Sequence, residues 1–526
     1  MTVFVLVSGL FTGPHVWQET AARLTAAGCE VRAVPLGGLG RIDGLDGLDG
    51  LDGLDGLDGK VSDPGAVTDL ESHISDVVAV IDSVGGARGE EIVLVGHDYG
   101  IHPVLGAADR RARSVARIVY LDSGMPQDGV PALAAVPDQL LREQVMLLAA
   151  EAGKGAAAEL PPPSREEWRL WGSVAGVPDE ALDRLTALAE PQPLGTLLQP
   201  LRLTGAVTSV PFAGVLCTGS GSSIALVQAR VDFGEPAFQA LADPRVTFFE
   251  LSTGHWPMLS SPAELVRTLL DAAAGRGHRL TPANAAGPPA HLRPFPLDVP
   301  EAPVERIGRV DLHLPSGDRP RPAVVLVHGG PVPAEARPTP REWPILTGYA
   351  RYAAGRGMVG VTLDHRLHDV TDYGRAAADV VDAVERVRAD PRVDADRIAL
   401  WFFSGSGPLT ASWLAAPPSW LRCLAANYPI MAPLPAWGRL GSAFHPAEAI
   451  AHAGDLPVVL VRAGLEVAEI AATVEEFLDA AKEHGANIEV VDVPDGHHTF
   501  ETVDPTDATR EAVRRAVRTV LGHLTA

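Results

Sequence analysis

The stretch Ile92-Val93-Leu94-Val95-Gly96-His97-Asp98-Tyr99-Gly100 joins a short, mostly β-branched apolar run to a turn of pattern small-x-acid-x-small. The run reads as a buried strand, and Gly96 and Gly100 let a strained turn push the Asp98 side chain out over a sheet. The chemistry open to a side chain so placed is nucleophilic. A carboxylate needs no base to deprotonate it, and its product is an ester that water must then open. A second run, Arg397-Ile398-Ala399-Leu400-Trp401-Phe402, leads into Phe403-Ser404-Gly405-Ser406-Gly407, with serine in the corresponding place. A histidine motif follows each turn: Gly254-His255-Trp256-Pro257 after the first, Gly496-His497-His498-Thr499-Phe500 after the second.

A chain of 526 residues is too long for one core, and 46% hydrophobic with 21% charged residues is ordinary globular composition. Two large α/β domains fit better than three or four small ones. The formal charge of −23 argues against nucleic acid and anionic membrane as partners. Lysine is confined to positions 60, 154 and 482 while Arg, Ala, Gly and Asp abound, the bias of a high-GC bacterial genome. Cys29, Cys217 and Cys423 are scattered, odd in number and unlike any metal-ligand spacing, which implies reduced thiols and no metal. Met1-Thr2 run straight into Val3-Phe4-Val5-Leu6-Val7, so this stretch reads as a first core strand rather than a signal peptide. No apolar run reaches the roughly 18 residues of a spanning helix. The expectation is a soluble cytoplasmic protein without cofactor, acting on a small molecule, with a homodimer the one assembly allowed for.

The elements that must position these residues are legible in order. After the first strand come the turn Ser8-Gly9-Leu10, a helix from about Trp17 to Ala27 and a strand over Glu30–Pro35. Ile42-Asp43-Gly44 and five Leu-Asp-Gly triplets then run to Gly59. A period of three matches neither helix nor strand, and the calcium-binding Gly/Asp solenoids repeat every nine residues, so the repeat of 43–59 reads as a solvated loop. A helix over Asp69–Val84 precedes the Asp98 turn, and a strand over Arg117–Leu121 ends at Asp122. Residues 124–205, containing Trp168 and Trp171, are helical and loop-like without strands, and read as a cap. Strands over Val210–Cys217 and Val246–Leu251 close this half. Residues 276–305 are rich in Pro, Ala and Gly and read as a linker between domains 1–275 and 306–526. The plan then restarts with strands over Arg309–Leu314, Ala323–Val327, Met358–Leu363, Pro457–Val461 and Ile488–Val493, and a helix containing Asp379–Val387. The interval from Ser404 to His498 is much shorter than that from Asp98 to His255, so the second domain lacks a comparable cap.

Gly-His-x-Tyr-Gly at 96–100, Val-Tyr-Leu-Asp-x-x-x-Pro at 119–126, Pro191-Gln192-Pro193-Leu194 and Gly-His-Trp-Pro-Met-Leu at 254–259 resemble the salicylate-esterase and hydroxynitrile-lyase branch of the α/β-hydrolases. Members of that branch carry serine at the nucleophile position. Gly-His-Asp-aromatic-Gly instead resembles the epoxide hydrolases and haloalkane dehalogenases. Residues 306–526 resemble the dienelactone-hydrolase and prolyl-peptidase-like serine hydrolases. Together these resemblances imply two tandem α/β-hydrolase domains, each a mostly parallel sheet flanked by helices, the first with a helical cap.

They also imply roles. Asp98 would open an epoxide and form an alkyl-enzyme ester, and His255 would activate water against that ester. Backbone N–H groups of Leu10 and Tyr99 would hold the oxyanion. The usual position of the third residue, after the strand ending at Cys217, reads Thr218-Gly219-Ser220-Gly221-Ser222 and holds no carboxylate, which makes Asp122 the substitute acid. Epoxide hydrolases usually present two cap tyrosines to the epoxide oxygen, and no Tyr lies between Gly124 and Leu203. Another donor is then required: His15, a Trp N–H or water. Trp168, Trp171 and Trp256 are the candidates to line the pocket. Halide release fits less well, because Tyr99 and Leu10 occupy the places of the usual halide-binding side chains. In the second domain Ser404, Glu466 and His498 form the expected Ser…acid…His order, with Gly330 and Gly405 as oxyanion donors and His497 as a rival to His498. Phe402 and Ser406 replace the usual flanking glycines; Ser406 is small enough to be tolerated, and Phe402 is expected to strain the turn or displace the neighbouring strand. The expected function is a bifunctional hydrolase of specialised metabolism. The alternatives are a dehalogenase-like or atypical esterase first site, a dead Asp98 turn, and a second domain that serves only as a structural partner.

Overall fold

A computed structural model of the chain describes residues 1–39, 68–84, 90–136, 138–152, 158–234, 236–282, 287–317, 319–434, 437 and 440–525. The Leu-Asp-Gly triplets of 43–59 lie outside these residues. The chain divides into two compact units, one formed by Met1–Gln228 with Ala240–Thr281, the other by Ala229–Gln239 with Pro282–Ala526. Among the described residues no helix is long and apolar enough to cross a membrane.

The first unit is built on strands β1 (Thr2–Val7), β2 (Glu30–Ala33), β3 (Glu91–His97) and β4 (Val115–Leu121). Two two-residue strands follow, β5 (Glu159–Leu160) and β6 (Gln192–Pro193), then β7 (Phe212–Cys217) and β8 (Val246–Leu251). Six of them form one parallel sheet in the order β2-β1-β3-β4-β7-β8. Val3 to Val7 are all fully buried, the signature of a central strand covered on both faces. The segment between β4 and β7 is the expected helical cap, with helices Gln139–Ala152, Asp179–Ala187 and Leu194–Leu198. It does contain strands after all. β5 and β6 pair antiparallel, and two residues are too few to show any alternation in sequence.

The second unit carries β9 (Val304–Ile307), β10 (Val310–His313), β11 (Arg321–Val327), β12 (Val359–Leu363), β13 (Val393–Phe403), β14 (Leu421–Asn427), β15 (Val458–Ala463) and β16 (Ile488–Val493). They form one sheet in the order β16-β15-β14-β13-β11-β12-β10-β9, parallel except for the antiparallel β9–β10 and β10–β12 pairs. β9 begins inside the stretch read as linker. It pairs back across a tight turn at Gly308, whose φ of 63° suits glycine. β14 was not anticipated, because Leu-Arg-Cys-Leu-Ala-Ala-Asn is poor in β-branched residues and becomes a strand through burial in the sheet centre.

A buried polar network crosses this second core. Trp401 Nε1 donates to Asn427 Oδ1 (2.9 Å), and Asn427 Nδ2 reaches the Tyr349 hydroxyl (3.1 Å) and Glu501 Oε1 (2.9 Å). The Tyr349 hydroxyl donates to the same Glu501 oxygen at 2.8 Å, while Glu501 Oε2 has no hydrogen-bond partner. Burial disfavours the charged form and pushes the Glu501 carboxyl up to about 7, against the pull of these donors. The folded state therefore holds a proton that the unfolded chain releases near 4.5, so this group's effect on stability turns unfavourable as pH rises from about 4.5 through about 7. Glu501→Gln keeps an acceptor for Tyr349 and Asn427 and removes the titration. Thermal melts of the variant should lose less stability between pH 5 and pH 8 than those of the wild type.

Candidate active sites

Strand β3 ends at His97, and Asp98 turns the chain at a φ of 50° into a short 3-10 turn and the helix Ile101–Arg110. The close approach behind this turn needs small residues. A Cβ on Gly96 would lie 2.6 Å from the Ile101 Cα, and one on Gly100 would lie 2.5 Å from the Ser8 carbonyl oxygen. In front of it, a Cβ on Gly9 would lie 2.8 Å from the Asp98 Cβ, so the Asp98 side chain lies directly against the backbone that precedes Leu10. The Leu10 N–H donates to Asp98 Oδ2 at 3.1 Å.

His255 stands beside this carboxylate. Its Nε2 is 3.8 Å from Asp98 Oδ1, beyond hydrogen-bond length, and has no hydrogen-bond partner; its Nδ1–H donates to Asp122 Oδ2 at 2.7 Å. Asp122 follows β4 at a φ of 42° and is fixed by the Cys217 N–H on Oδ1 (3.0 Å) and the Ser220 hydroxyl on Oδ2 (2.7 Å). Ser220, given no role in the sequence reading, belongs to the very segment noted for lacking a carboxylate. A hydroxyl there braces the acid supplied by the neighbouring strand. The His255 side chain is 10% exposed and the Asp122 side chain 5% exposed. Burial pushes the His255 pKa down, but Asp122 and Asp98 outweigh it and raise it to about 10. Burial likewise pushes Asp98 and Asp122 up, and their contacts with His255 outweigh it, so both carboxyls fall below the usual carboxylate range. Each shift favours the charged form of its group, an imidazolium between two carboxylates.

The cap closes against this array. The His255 N–H donates to the Ser173 carbonyl at 2.7 Å and the Gly254 N–H to that of Ala175 at 2.9 Å, while a Cβ on Gly172 would lie 2.5 Å from the His255 ring. Trp256 packs edge-on against His255 and Trp168, with ring centroids 4.9 and 5.4 Å apart. Trp168 is not a lining donor: it is 1% exposed and its indole N–H donates to Thr186 Oγ1 at 3.0 Å. Trp171, half-buried, meets Phe11 edge-on at 4.8 Å. The Tyr99 ring is buried and its hydroxyl is turned to His73 Nδ1 (2.8 Å). His15 lies on the 3-10 turn Pro14–Trp17, where burial lowers its pKa and its Nε2 has no partner. Gln192 of the cap, read in sequence only as part of a motif, is fully buried. Its Oε1 accepts the Phe11 N–H at 3.0 Å, next to the Leu10 donor, and its Nε2 donates to Thr196 Oγ1 at 2.7 Å.

The second site repeats the geometry with other residues. Ser404 follows β13 at a φ of 51°, its Oγ is 2.7 Å from His498 Nε2, and His498 Nδ1–H donates to Glu466 Oε2 at 2.6 Å. The Val467 N–H holds Glu466 Oε1 at 2.8 Å. His497, the rival, is exposed and turned to Asp504 at 3.2 Å. A Cβ on Gly329 would lie 2.9 Å from the Ser404 Cβ, and one on Gly405 would run into the Gly330 carbonyl, so the two glycine backbones are in contact. The Tyr373 hydroxyl, not anticipated, donates to the Gly405 carbonyl at 2.7 Å. Ser406 is buried, with its Oγ accepting the Phe403 N–H at 2.9 Å and reaching the Val327 carbonyl at 3.1 Å. Phe402 is fully buried, and the strain expected from it is absent at its own residue: the positive φ belongs to Ser404, and the chain continues as a 3-10 helix through Leu409.

The alpha/beta hydrolase family matches the chain over residues 4–268, half of its length. The protein belongs to that family. It is 28% identical over 270 residues to the carbendazim hydrolyzing esterase of Nocardioides sp. (strain SG-4G), covering 51% of this chain and 98% of that protein. It is 28% identical over 168 residues to esterase PIR7B of Oryza sativa subsp. japonica, covering 30% of this chain and 56% of that protein. An extracellular alpha/beta-hydrolase from a Paenibacillus species superposes with a TM-score of 0.39 at 19% identity, over 52% of this chain and 99% of that one. The family and its esterases support hydrolysis as the reaction class.

Two substitutions test this geometry. Gly9→Ala should displace the Asp98 carboxylate and lower turnover at the first site about 100-fold, the scale of an ångström-sized misplacement. Gln192→Ala leaves the buried Phe11 N–H unpaired and should lower unfolding free energy by about 1–3 kcal/mol in urea titrations.

Proposed function

We propose that the first unit opens a small-molecule epoxide through an ester on Asp98, and that the second is a serine esterase-like hydrolase. The observation that carries the first half is the placement of Asp98. Its Oδ2 is anchored by the Leu10 N–H, leaving Oδ1 on the side of His255. Asp98 attacks a ring carbon and the C–O bond breaks, leaving an alkyl ester. His255 then takes a proton from water, which adds to the Asp98 carboxyl carbon while Leu10 and Tyr99 N–H groups hold the oxyanion. Asp122 orients the imidazole throughout. In the second unit His498 removes the Ser404 proton as Ser404 attacks an acyl carbon, Glu466 orients His498, and Gly330 and Gly405 hold the oxyanion.

A second reading for the first unit is ester or carbamate cleavage, favoured by the Nocardioides esterase, which matches this unit over nearly its whole length. An aryl epoxide panel and an activated aryl ester, run on wild type, Asp98→Ala and Ser404→Ala, separate the readings. Epoxide turnover should fall roughly 10⁴-fold or more in Asp98→Ala alone, and ester turnover by a similar factor in Ser404→Ala alone. Ester turnover that depends on Asp98 selects the second reading. Ester turnover indifferent to Ser404 would make the second unit a structural partner.

A further inference from the structure

His498 is carried on a turn that is tied on both sides. Toward the acid, the N–H of Leu465, the residue before Glu466, donates to the Gly496 carbonyl at 2.9 Å. Toward the nucleophile the tie is made by a side chain. Glu501 lies three residues after His498 on the helix Phe500–Val503, which leaves Thr499 at a φ of 58°. Fully buried, it turns Oε1 to Asn427 Nδ2 at 2.9 Å. Asn427 is the last residue of β14 and pairs in register with Phe403, the residue before Ser404. Its Oδ1 accepts the indole N–H of Trp401, on β13 itself, at 2.9 Å. One amide side chain thus holds the nucleophile strand with its oxygen and the histidine turn with its nitrogen. Tyr428 stands in the same corner. Its ring meets that of His498 edge-on at 4.9 Å, and its hydroxyl is near enough to Glu501 for that carboxyl to add to the upward push of burial on its pKa.

We propose, on the reading of the second unit as a serine esterase-like hydrolase, that Glu501 is a positioning residue for His498, which through Asn427 fixes the distance from the imidazole to Ser404. The reacting contact, Ser404 Oγ to His498 Nε2 at 2.7 Å, cannot hold the ring by itself. It is given up once Ser404 carries an acyl group, yet the ring must stay in place to activate water against that group. Glu466 fixes the ring at Nδ1 (2.6 Å) and so sets its tautomer and rotation. The place of the turn that bears the ring is set by groups that do not react, and Glu501 supplies the one that leads back to the nucleophile strand.

Packing alone gives no reason for a carboxyl at this place. The surroundings are aromatic: the Tyr349 ring lies 4.9 Å from that of Trp401 and 5.5 Å from that of Phe403, and the Tyr428 ring 5.6 Å from that of Phe500. Burial raises the Glu501 carboxyl to about 7, and Oε2 has no hydrogen-bond partner. An apolar side chain of similar volume would avoid both penalties. What glutamate adds is a directional acceptor at the end of a long side chain. The Tyr349 hydroxyl donates to the same Oε1 at 2.8 Å, but it comes from the helix Pro344–Gly355, which carries no residue of the candidate site. The Asn427 bond is therefore the one that bears on His498, and glutamine, with its amide oxygen in place of Oε1, can keep it.

The test measures two rates in the full chain: turnover of p-nitrophenyl acetate, and phosphonylation of Ser404 by a fluorophosphonate, followed by peptide mass mapping. Turnover lost in Ser404→Ala is that of the second site. The variants are Glu501→Gln, Glu501→Leu, Asn427→Ala and Tyr349→Phe, each assayed below its own melting transition. Glu501→Leu and Asn427→Ala cut the tie from its two ends. Each should lower kcat and the phosphonylation rate about 100-fold, the scale of an ångström-sized misplacement, with KM unchanged. Glu501→Gln should keep most of the wild-type kcat. Tyr349→Phe removes a hydrogen bond from the same network but not the tie, so it should lower the melting temperature and leave kcat as it is. Wild-type kcat in folded Glu501→Leu would overturn the proposal. So would a loss in Glu501→Gln as large as in Glu501→Leu, or an equal loss in Tyr349→Phe, since the carboxyl would then act by charge or by stability alone. If Glu501→Leu does not fold, Asn427→Ala decides by the same criteria. A wild type that is unlabelled at Ser404 and turns over no faster than Ser404→Ala would instead refute the esterase reading, and the role of Glu501 with it.

Discussion

Backbone at positive φ marks the candidate sites of both units. A side chain in this region costs of order 1–3 kcal/mol and persists where the surroundings over-determine it. Among the described residues, six non-glycine positions adopt it: Phe11, Asp98, Asp122, Ser404, Tyr428 and Thr499. Each belongs to one of the two candidate sites or lies directly beside it. The ties that hold them are visible. Phe11 donates to Gln192 and accepts from the Glu190 N–H (2.9 Å); the Asp122 N–H is fixed to Val215 and that of Tyr428 to Val461; the Ser404 carbonyl accepts from Ile430 (3.0 Å). Central strands of both sheets, buried on two faces, supply the rigidity against which these turns are bent. The strain is thus concentrated where a side chain must project above the strand ends.

The two units solve the placement of the acid differently. Asp122 follows β4 and Tyr428 follows β14, and each of these strands is the first after the nucleophile's helix. Their N–H groups make the same bond to the next strand, to Val215 and Val461, both at 2.8 Å. They are equivalent positions. In the first unit this position provides the acid, and the segment after the next strand provides Ser220 to brace it. In the second unit that next segment provides Glu466, and Tyr428 packs edge-on against the His498 ring with centroids 4.9 Å apart. Either strand end lies within reach of the histidine, because parallel neighbours bring their carboxyl ends to the same edge of the sheet.

How much of this was legible in sequence follows from what each feature needs. The strand cores announced themselves as apolar runs, and both turns by the small residues that close backbone approach demands. Asp98, Ser404, both histidines and both acids were singled out from chain order and resemblance, and the fold brings each set together. The β14 strand could not, because its residues are small rather than β-branched and only burial decides its conformation. Gln192 and Tyr373 were beyond reach for a different reason. Each acts through one hydrogen bond to a backbone group far away in the chain, Gln192 on Phe11 and Tyr373 on Gly405, and no spacing rule links them. Trp168 was misjudged as pocket lining because an aromatic in a cap serves core and pocket equally well until its N–H partner is known.

The same logic explains why the first site tolerates a carboxylate where its relatives by motif carry serine. In the second site Ser404 Oγ lies 2.7 Å from His498 Nε2 and His498 Nδ1 lies 2.6 Å from Glu466, so one carboxylate serves one imidazole. Placing Asp98 in such a triad would give two anions around one buried imidazole. Repulsion between them is relieved when the imidazole binds a proton, which returns the site to a single negative charge. The raised His255 and lowered Asp98 and Asp122 express that exchange. It depends on burial, since water would screen the attraction that holds the proton. The cap residues Gly172, Ser173 and Ala175 that close over His255 are therefore part of the electrostatics. The His498 side chain is 19% exposed against 10% for His255, and it faces one carboxylate rather than two. A carboxylate in place of a hydroxyl at this turn thus changes the charge that the neighbouring imidazole must balance.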